Sequence, residues 1–293
     1  MLVTVKDAIC GHGKTTEMLE YIRDSVRGGS EDLFLYITPY LEQCHDIAGT
    51  SWEAGDEEKT PIRDSSGAVV YKESDGGVNL AELKFKHPDT RNSDGTKQKS
   101  LRRLMSRGEH IVSTHNLFLN MKLDTLENAH KFTLVIDECL DVFERKSFLP
   151  EKEVRKLLQL KILKLQEDGI TLIFDREKFG ESEGEEDAVK DTRYEEVAVL
   201  CDNNQVMLVN GGILIWEFSA EILKKFKKVY ILSYLFEGRE MSVYLKKHNI
   251  DYEVVKSGKG GKDIAHLVDI LEDDKLNSVG NGYWATIVTG KQV

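Results

Sequence analysis

The chain has 293 residues, of which 40% are hydrophobic and 31% are charged, and its formal net charge at pH 7 is −11. This composition is typical of a globular protein with a substantial core, and the acidic excess argues against a strongly basic, non-specific nucleic-acid binder. No apolar run approaches the ~20 residues of a membrane-spanning helix, and the first residues carry no signal-peptide pattern. We therefore expect a cytoplasmic protein without a membrane partner.

The first predicted elements surround a glycine-rich loop. Residues 1–6 alternate between apolar and polar and predict a strand, and Met18, Leu19 and Ile22 have the spacing of a helix. Between them lies the sequence Ala8-Ile9-Cys10-Gly11-His12-Gly13-Lys14-Thr15-Thr16. A strand, a glycine-rich loop and a helix form the context in which backbone N–H groups and a helix N-terminus bind phosphate.

The residues of this loop predict a site for ATP and Mg²⁺. Gly11 and Gly13 allow the backbone to approach a phosphate closely, and Lys14 is expected to reach the β- and γ-phosphates and to act in catalysis. The Thr15 hydroxyl is expected to bind Mg²⁺. His12 is most simply a spacer. The predicted nucleotide-binding residues are Gly11, His12, Gly13, Lys14, Thr15 and Thr16.

The next elements extend the pattern to a parallel α/β sheet. Residues 33–38 predict a buried strand that Pro39 ends, and residues 41–48 continue at helical spacing. Strands that alternate with helices are typical of a mostly parallel sheet flanked by helices. Residues 50–108 contain many glycines and charges and predict an insertion. The basic residues between 97 and 107 predict an amphipathic helix, whose charged side is most simply a solvated face.

A buried strand is predicted at residues 132–136, and it ends at Asp137 and Glu138. At the carboxyl end of a parallel strand, Asp137 is expected to hold hydrated Mg²⁺, and Glu138 is expected to activate the water that attacks the γ-phosphate. By themselves, two carboxylates at the end of a strand are a weak indication of a nucleotide site. The indication is stronger when a phosphate-binding loop precedes them in the same chain.

The later part of the chain predicts a second insertion near 143–205. It contains a predicted amphipathic helix at 150–166 and an acidic tract at 180–187 that we expect to be an exposed loop. A further buried strand at 228–233 ends at Ser233. Residues 241–293 are interpreted as a C-terminal extension or the start of a second domain.

Several of these segments resemble the motifs of superfamily 2 helicases of the DEAD/DEAH type, and the combination looks most like phage-encoded members. The form A-x-x-G-x-G-K-T at residues 8–15 resembles motif I, and Asp137-Glu138 matches the first two residues of motif II. Cys139 and Leu140 depart from the rest of motif II. Weaker resemblances suggest nucleic-acid contacts, and they involve Pro39, Thr114, His115 and Ser233.

The resemblance implies that residues 1–240 form the first RecA-like P-loop ATPase domain of a helicase or translocase. Its expected partners are single-stranded or duplex DNA, with RNA as an alternative, and a second RecA-like domain supplied in cis or in trans. Because the family's arginine finger lies in that second domain, we expect slow ATP hydrolysis by this chain alone. Two other interpretations stay open: another P-loop enzyme, such as a packaging-motor ATPase or a small-molecule kinase, and a nucleotide-gated interaction module.

Overall fold

The computed structural model describes residues 2–9, 11–48, 83–88, 95–121, 123–183 and 189–256. Its centre is a six-stranded sheet in which every neighbouring pair of strands is parallel. With strands labelled in chain order, this sheet comprises β1 (Val3–Asp7), β2 (Leu33–Thr38), β3 (Ile111–Thr114), β4 (Phe132–Asp137), β10 (Lys228–Ser233) and β11 (Tyr252–Lys256). Their spatial order is β11-β1-β10-β4-β2-β3. The α/β class and the parallel sheet are confirmed.

Helices cover both faces of the sheet because its strands are apolar on both sides. In β2, the alternate residues Phe34 and Tyr36 pack with α1 and α2, whereas Leu35 and Ile37 join the core on the opposite face. The helices associated with the sheet are α1 (Lys14–Arg27), α2 (Leu41–Ile47), α3 (Lys97–Arg107), α4 (His115–Leu119), α8 (Ala220–Lys224) and α9 (Glu240–Lys247).

Between β4 and β10 the chain builds an antiparallel region with a core of its own. One sheet has the order β5-β9-β8 and consists of β5 (Phe143–Arg145), β8 (Val206–Val209) and β9 (Ile213–Glu217). A two-stranded hairpin consists of β6 (Leu163–Leu165) and β7 (Leu172–Phe174). The helices here are α5 (Glu151–Gln159), α6 (Arg176–Glu183) and α7 (Glu195–Asp202). The inserted region therefore extends to residue 217.

Two local predictions in this region were wrong. The helix predicted at 150–166 ends at Gln159, because Lys161 adopts a left-handed conformation (φ 58°) that turns the chain into β6. Leu163 and Leu165 then pair with β7 instead of continuing the helix. The first residues of the acidic tract, 180–183, belong to α6 and not to a loop.

Several predictions fall outside the described residues, among them most of the 50–108 insertion and the rest of the acidic tract. The central sheet continues beyond residue 240, since β11 pairs with β1 through a register that matches Val3 with Tyr252. This edge strand lies in the segment that the sequence assigned to an extension or second domain. Within the described ranges, no helix is long and apolar enough to cross a membrane.

Candidate functional site

The parallel strands bring their polar carboxyl ends to one edge of the sheet. Asp7 at the end of β1 is in register with Ser233, and Leu232 is in register with Asp137. A cleft of about 550 Å³ opens at this edge. It is lined by Gly11, Lys14, Thr15, Pro39, His115, Asp137, Glu138, Cys139, Asp141, Leu232, Ser233, Tyr234 and Arg239. Eight of the residues predicted from sequence therefore share one cleft.

Four predicted residues do not line this cleft. His12, Gly13 and Thr16 lie in the same loop and in the first turn of α1, and the buried Nδ1 of His12 has no hydrogen-bond partner among the described residues. The Thr114 hydroxyl accepts a hydrogen bond from the Leu117 N–H at 3.3 Å. This bond caps the N-terminus of α4 and gives Thr114 a structural role.

The glycines of the loop are required by its backbone conformation. Gly11 and Gly13 have φ values of 79° and 76°, a left-handed region in which a side chain is strained. Gly13 is also the residue before α1, so the loop leads directly into the helix N-terminus. The ammonium group of Lys14 donates to the carbonyls of Ala8 (2.6 Å) and Ile9 (3.2 Å). Lysine has three N–H donors, so one remains for a ligand in the cleft.

The Asp137 carboxylate joins the loop to the sheet. The Thr15 hydroxyl donates to it at 3.0 Å, across 122 residues of sequence. The Tyr36 hydroxyl donates to the same oxygen at 2.8 Å. His115 Nε2 lies 2.9 Å from the Asp137 carbonyl, and since a carbonyl only accepts, Nε2 carries the hydrogen. Three elements therefore fix the position of this residue.

Electrostatics keep the donors around Asp137 in defined protonation states. Burial raises the pKa of Asp137, and the bonds from Tyr36 and Thr15 partly offset that rise. Burial and the neighbouring Asp137 charge raise the pKa of Tyr36 well above its usual range, so its hydroxyl stays protonated and donates. Burial also lowers the pKa of His115, which favours the neutral imidazole.

Glu138 combines an exposed side chain with a strained backbone. Its φ is 67°, and its N–H donates to the Leu232 carbonyl at 2.9 Å. A non-glycine residue in this region costs roughly 1–3 kcal/mol and is held there by surrounding structure, often at functional sites. The strained turn follows directly after the end of β4 at Asp137, and Glu138 lines the cleft.

Strand β10 lies between β1, which leads into the glycine-rich loop, and β4, which ends at Asp137. Because neighbouring strands are about 4.8 Å apart, β1 and β4 are separated by roughly 10 Å. Ser233 at the end of β10 spans this gap: its carbonyl accepts from the Ala8 N–H at 3.0 Å, and its hydroxyl lies 3.1 Å from the Cys139 sulfur. Ser233 therefore connects the start of the glycine-rich loop with the turn that follows the two carboxylates.

The oxygen donors fit a hard divalent cation. Mg²⁺ in phosphate-transfer sites is commonly held by one or two protein oxygens, phosphate oxygens and water. The Thr15 hydroxyl and the Asp137 carboxylate offer two such oxygens within hydrogen-bonding distance of each other. In the described ranges, no group of three or more His, Cys, Asp or Glu side chains is arranged to hold a metal ion.

Three residues of the site were missed from the sequence. Tyr36 stands inside an apolar strand, and its contact with Asp137 depends on the register of β2 against β4. Asp7 accepts hydrogen bonds from the backbone N–H groups of Leu235 (2.8 Å) and Phe236 (3.4 Å), which fixes the loop after β10. Arg239, at the end of that loop, faces the cleft. Of these three residues, only Asp7 had a signal in the sequence, because it is a polar residue at the end of a predicted strand.

Comparison with known proteins gives two relatives. The chain is 27% identical over 308 aligned residues to the SPbeta prophage-derived uncharacterized protein YonV of Bacillus subtilis, an alignment that covers 97% of this chain and 65% of that protein. It is 31% identical over 93 residues to a putative type II restriction enzyme and methyltransferase, RM.MjaORFECS2P, of Methanocaldococcus jannaschii, of which it covers 8%. No family model and no solved structure matches the chain.

Tyr36→Phe is expected to destabilise the fold by about 1.5–3 kcal/mol at pH 7, because an ionised buried carboxylate loses a donor. The lost bond normally lowers the pKa of Asp137, so its removal raises that pKa further. The destabilisation should be full at neutral pH and should shrink as the pH falls through the raised pKa. Urea unfolding at several pH values measures it.

The matched control for this measurement is Tyr244→Phe. The Tyr244 hydroxyl is also buried, but it donates to a neutral backbone carbonyl, that of Phe218, at 2.9 Å. The decrease in the free energy of unfolding caused by Tyr244→Phe should therefore be similar at every pH in the same series. Equal pH dependence in the two variants would contradict the role assigned to Tyr36.

Glu138→Asn is expected to raise the free energy of unfolding by about 0.5–1 kcal/mol, because asparagine tolerates the left-handed conformation better. Lys161→Asn is the control, since Lys161 is also exposed and left-handed but lies far along the chain in the antiparallel region. Both variants should gain stability in thermal unfolding. A loss of stability in Glu138→Asn alone would show that the Glu138 side chain is structural.

Proposed function

We propose that this chain is an ATP-hydrolysing P-loop domain with a RecA-like fold, and that it works as the first motor domain of a helicase or translocase. The observation that carries the ATPase proposal is the Thr15–Asp137 hydrogen bond of 3.0 Å between the glycine-rich loop and the end of β4. It brings together the two oxygens suited to Mg²⁺, and Lys14 and Glu138 line the same cleft.

In the proposed reaction the loop binds the phosphates of ATP through its backbone N–H groups and Lys14. Mg²⁺, held by Thr15 and Asp137, neutralises phosphate charge when bound. Glu138 accepts a proton from the attacking water, whose oxygen bonds to the γ-phosphorus. The bond between the γ-phosphorus and the β–γ bridging oxygen breaks, and ADP leaves with that electron pair.

A nucleic-acid partner is supported by the residues at the same sheet edge and by α3. Pro39, His115 and Ser233 line the cleft beside the phosphate loop, so a strand bound there would contact residues that also contact the ATPase site. The His115 ring is hydrogen bonded to the Asp137 backbone, which offers a direct connection between the two sites.

Helix α3 is a local exception to the acidic character of the chain. Its buried residues Leu101, Leu104 and Met105 pack into the core, and Lys97, Lys99 and Arg107 are exposed. The Gln98 amide donates to the carbonyls of Leu117 and Asn120, which places the start of α3 against α4 and thus near His115. Exposed cations at this position suit the phosphates of a single strand.

The second RecA-like domain is part of the same proposal. The chain spans 65% of the length of the prophage-derived relative that it matches. The match to the putative restriction enzyme and methyltransferase covers too little of that protein to support a function. DNA, with RNA as the alternative, is the expected partner of the complete motor.

Lys14→Ala is expected to abolish ATP binding, and Glu138→Gln is expected to retain ATP binding while turnover falls by about 10²-fold or more, because only the proton acceptor is lost. Calorimetric titration with ATP and Mg²⁺ and a phosphate-release assay measure the two effects. Lys6→Ala is the control for Lys14, since its ammonium pairs with Glu17 at 2.6 Å and lies outside the cleft lining.

Unchanged ATP binding by Lys14→Ala would reject the phosphate-loop assignment. Full turnover by Glu138→Gln would reject the role of Glu138 while leaving nucleotide binding in place. ADP formation that depends on a small-molecule acceptor, with the γ-phosphoryl group transferred to that acceptor instead of to water, would support a kinase instead of a motor.

Charge reversal on α3 tests the nucleic-acid part. The double variant Lys97→Glu/Lys99→Glu should weaken binding to an oligo(dT) strand and reduce the slope of log K against log[salt] by about 1.4, from two lost phosphate contacts. Lys152→Glu/Lys156→Glu on the exposed side of α5 is the matched control. Equal affinity and slope in both double variants would exclude α3 from the interface.

A further inference from the structure

Arg239 supplies the second positive charge of the cleft. The side chains that line the cleft include two cations, Lys14 and Arg239, and three carboxylates, those of Asp137, Glu138 and Asp141. Lys14 belongs to the phosphate loop, and two of its three N–H donors bond to the loop carbonyls of Ala8 and Ile9. Arg239 comes from the loop after β10, and neither the binding of Mg²⁺ nor the proton transfer described above uses it.

The backbone around Arg239 is fixed directly to the base of the phosphate loop. Asp7, the last residue of β1, accepts from the N–H groups of Leu235 and Phe236. The Arg239 N–H in turn donates to the Phe236 carbonyl at 2.9 Å. The distance between the phosphate loop and Arg239 is therefore set by a short chain of hydrogen bonds within one sheet edge.

The helix that follows Arg239 is also anchored at its other end. The buried carboxylate of Glu217 accepts from Lys247 Nζ at 2.6 Å and from His248 Nε2 at 2.8 Å, which ties the end of α9 to β9. Tyr244, in the middle of α9, donates to the Phe218 carbonyl. Arg239 thus begins a helix that is held along its length.

The guanidinium keeps donors for a ligand. Its Nε donates to the Tyr234 carbonyl at 3.3 Å, and arginine has five N–H donors in all. Among the described residues, no carboxylate lies within ion-pair distance of it. Burial raises the pKa of the Cys139 thiol, and the nearby positive charge of Arg239 opposes that rise. The cleft lining includes Arg239, Glu138 and Cys139.

We propose that Arg239 is a catalytic residue that donates to the γ-phosphate oxygens of ATP and supplies an arginine in cis, on the same domain as the phosphate loop. The inference rests on the proposed ATPase function. Arg239 forms no covalent bond in the reaction. It stabilises negative charge on the γ-phosphoryl oxygens while water bonds to phosphorus and ADP departs, and Glu138 holds the proton.

This assignment changes the expectation for the isolated chain. An arginine supplied in cis is an established solution in nucleotide hydrolases, and an arginine at the γ-phosphate contributes about 10³–10⁵ in turnover. The chain alone should then hydrolyse ATP without a second domain. A partner domain would regulate the reaction rather than complete it.

The test compares the wild-type chain with Arg239→Ala, Arg239→Lys and the control Lys246→Ala. Lys246 is an exposed cation on the same helix, paired with Glu237 at 2.8 Å and outside the cleft lining. Turnover is measured with ATP and Mg²⁺ on each chain alone. The affinities for ADP and for ADP with aluminium fluoride, a mimic of the transferring phosphoryl group, are measured by calorimetry.

Arg239→Ala should lose about 10³-fold in turnover and most of the added affinity for ADP with aluminium fluoride, with ADP affinity unchanged. Arg239→Lys should recover part of both losses, and Lys246→Ala should match the wild type. Turnover of Arg239→Ala equal to that of the wild type, or equal aluminium fluoride affinity in the two chains, would overturn the inference, while ATP binding and hydrolysis by the wild type would still support the proposed function. Failure of the wild type to bind ATP would reject the proposed function itself.

Discussion

Asp137 is 7% exposed, and the cost of burying its carboxylate charge constrains much of the surrounding structure. A buried ionised group is tolerated only with donors around it, and here they come from Thr15 on α1 and Tyr36 on β2. The glycine-rich loop, the second strand and the fourth strand must therefore stay in register. A displacement of any one of them would leave the carboxylate, or a hydroxyl that now bonds to it, without a partner.

The same constraint explains how a buried, fixed carboxylate and an exposed one can stand next to each other in the chain. Asp137 is held by two hydroxyl donors, whereas Glu138, one residue later, is exposed and forced into a left-handed conformation. Adjacent carboxylates thus occupy different environments: one buried and fixed, suited to hold a cation, and one accessible to water. β10 contributes to this division, because its Leu232 carbonyl accepts from the Glu138 N–H and fixes the strained turn.

Local signals were sufficient for the parts of the site that lie on single segments. The loop at 8–16 and the carboxylates at 137–138 were predicted because each couples a buried strand to polar residues at its end. Tyr36 and Asp7 could not be assigned, since their roles depend on which strands are neighbours and on a loop 228 residues away in sequence. The helix predicted at 150–166 failed for a related reason: leucines at 163 and 165 suit a helix or a hairpin, and pairing with β7 decided between them.

The position of Arg239 follows from strand order rather than from sequence distance. β10 enters the sheet between β1 and β4, so the loop that leaves it must pass over the gap between the glycine-rich loop and the two carboxylates. Asp7 then fixes that loop at its start, and α9 fixes it at its end. Arg239, at the end of this segment, lines the same cleft as Lys14, Asp137 and Glu138. A cation on a separate domain would have to be brought there by domain closure. In the proposed reaction, the sheet order would therefore let all the reacting groups stand on this domain, and a partner bound at the sheet edge would only set the timing of the reaction.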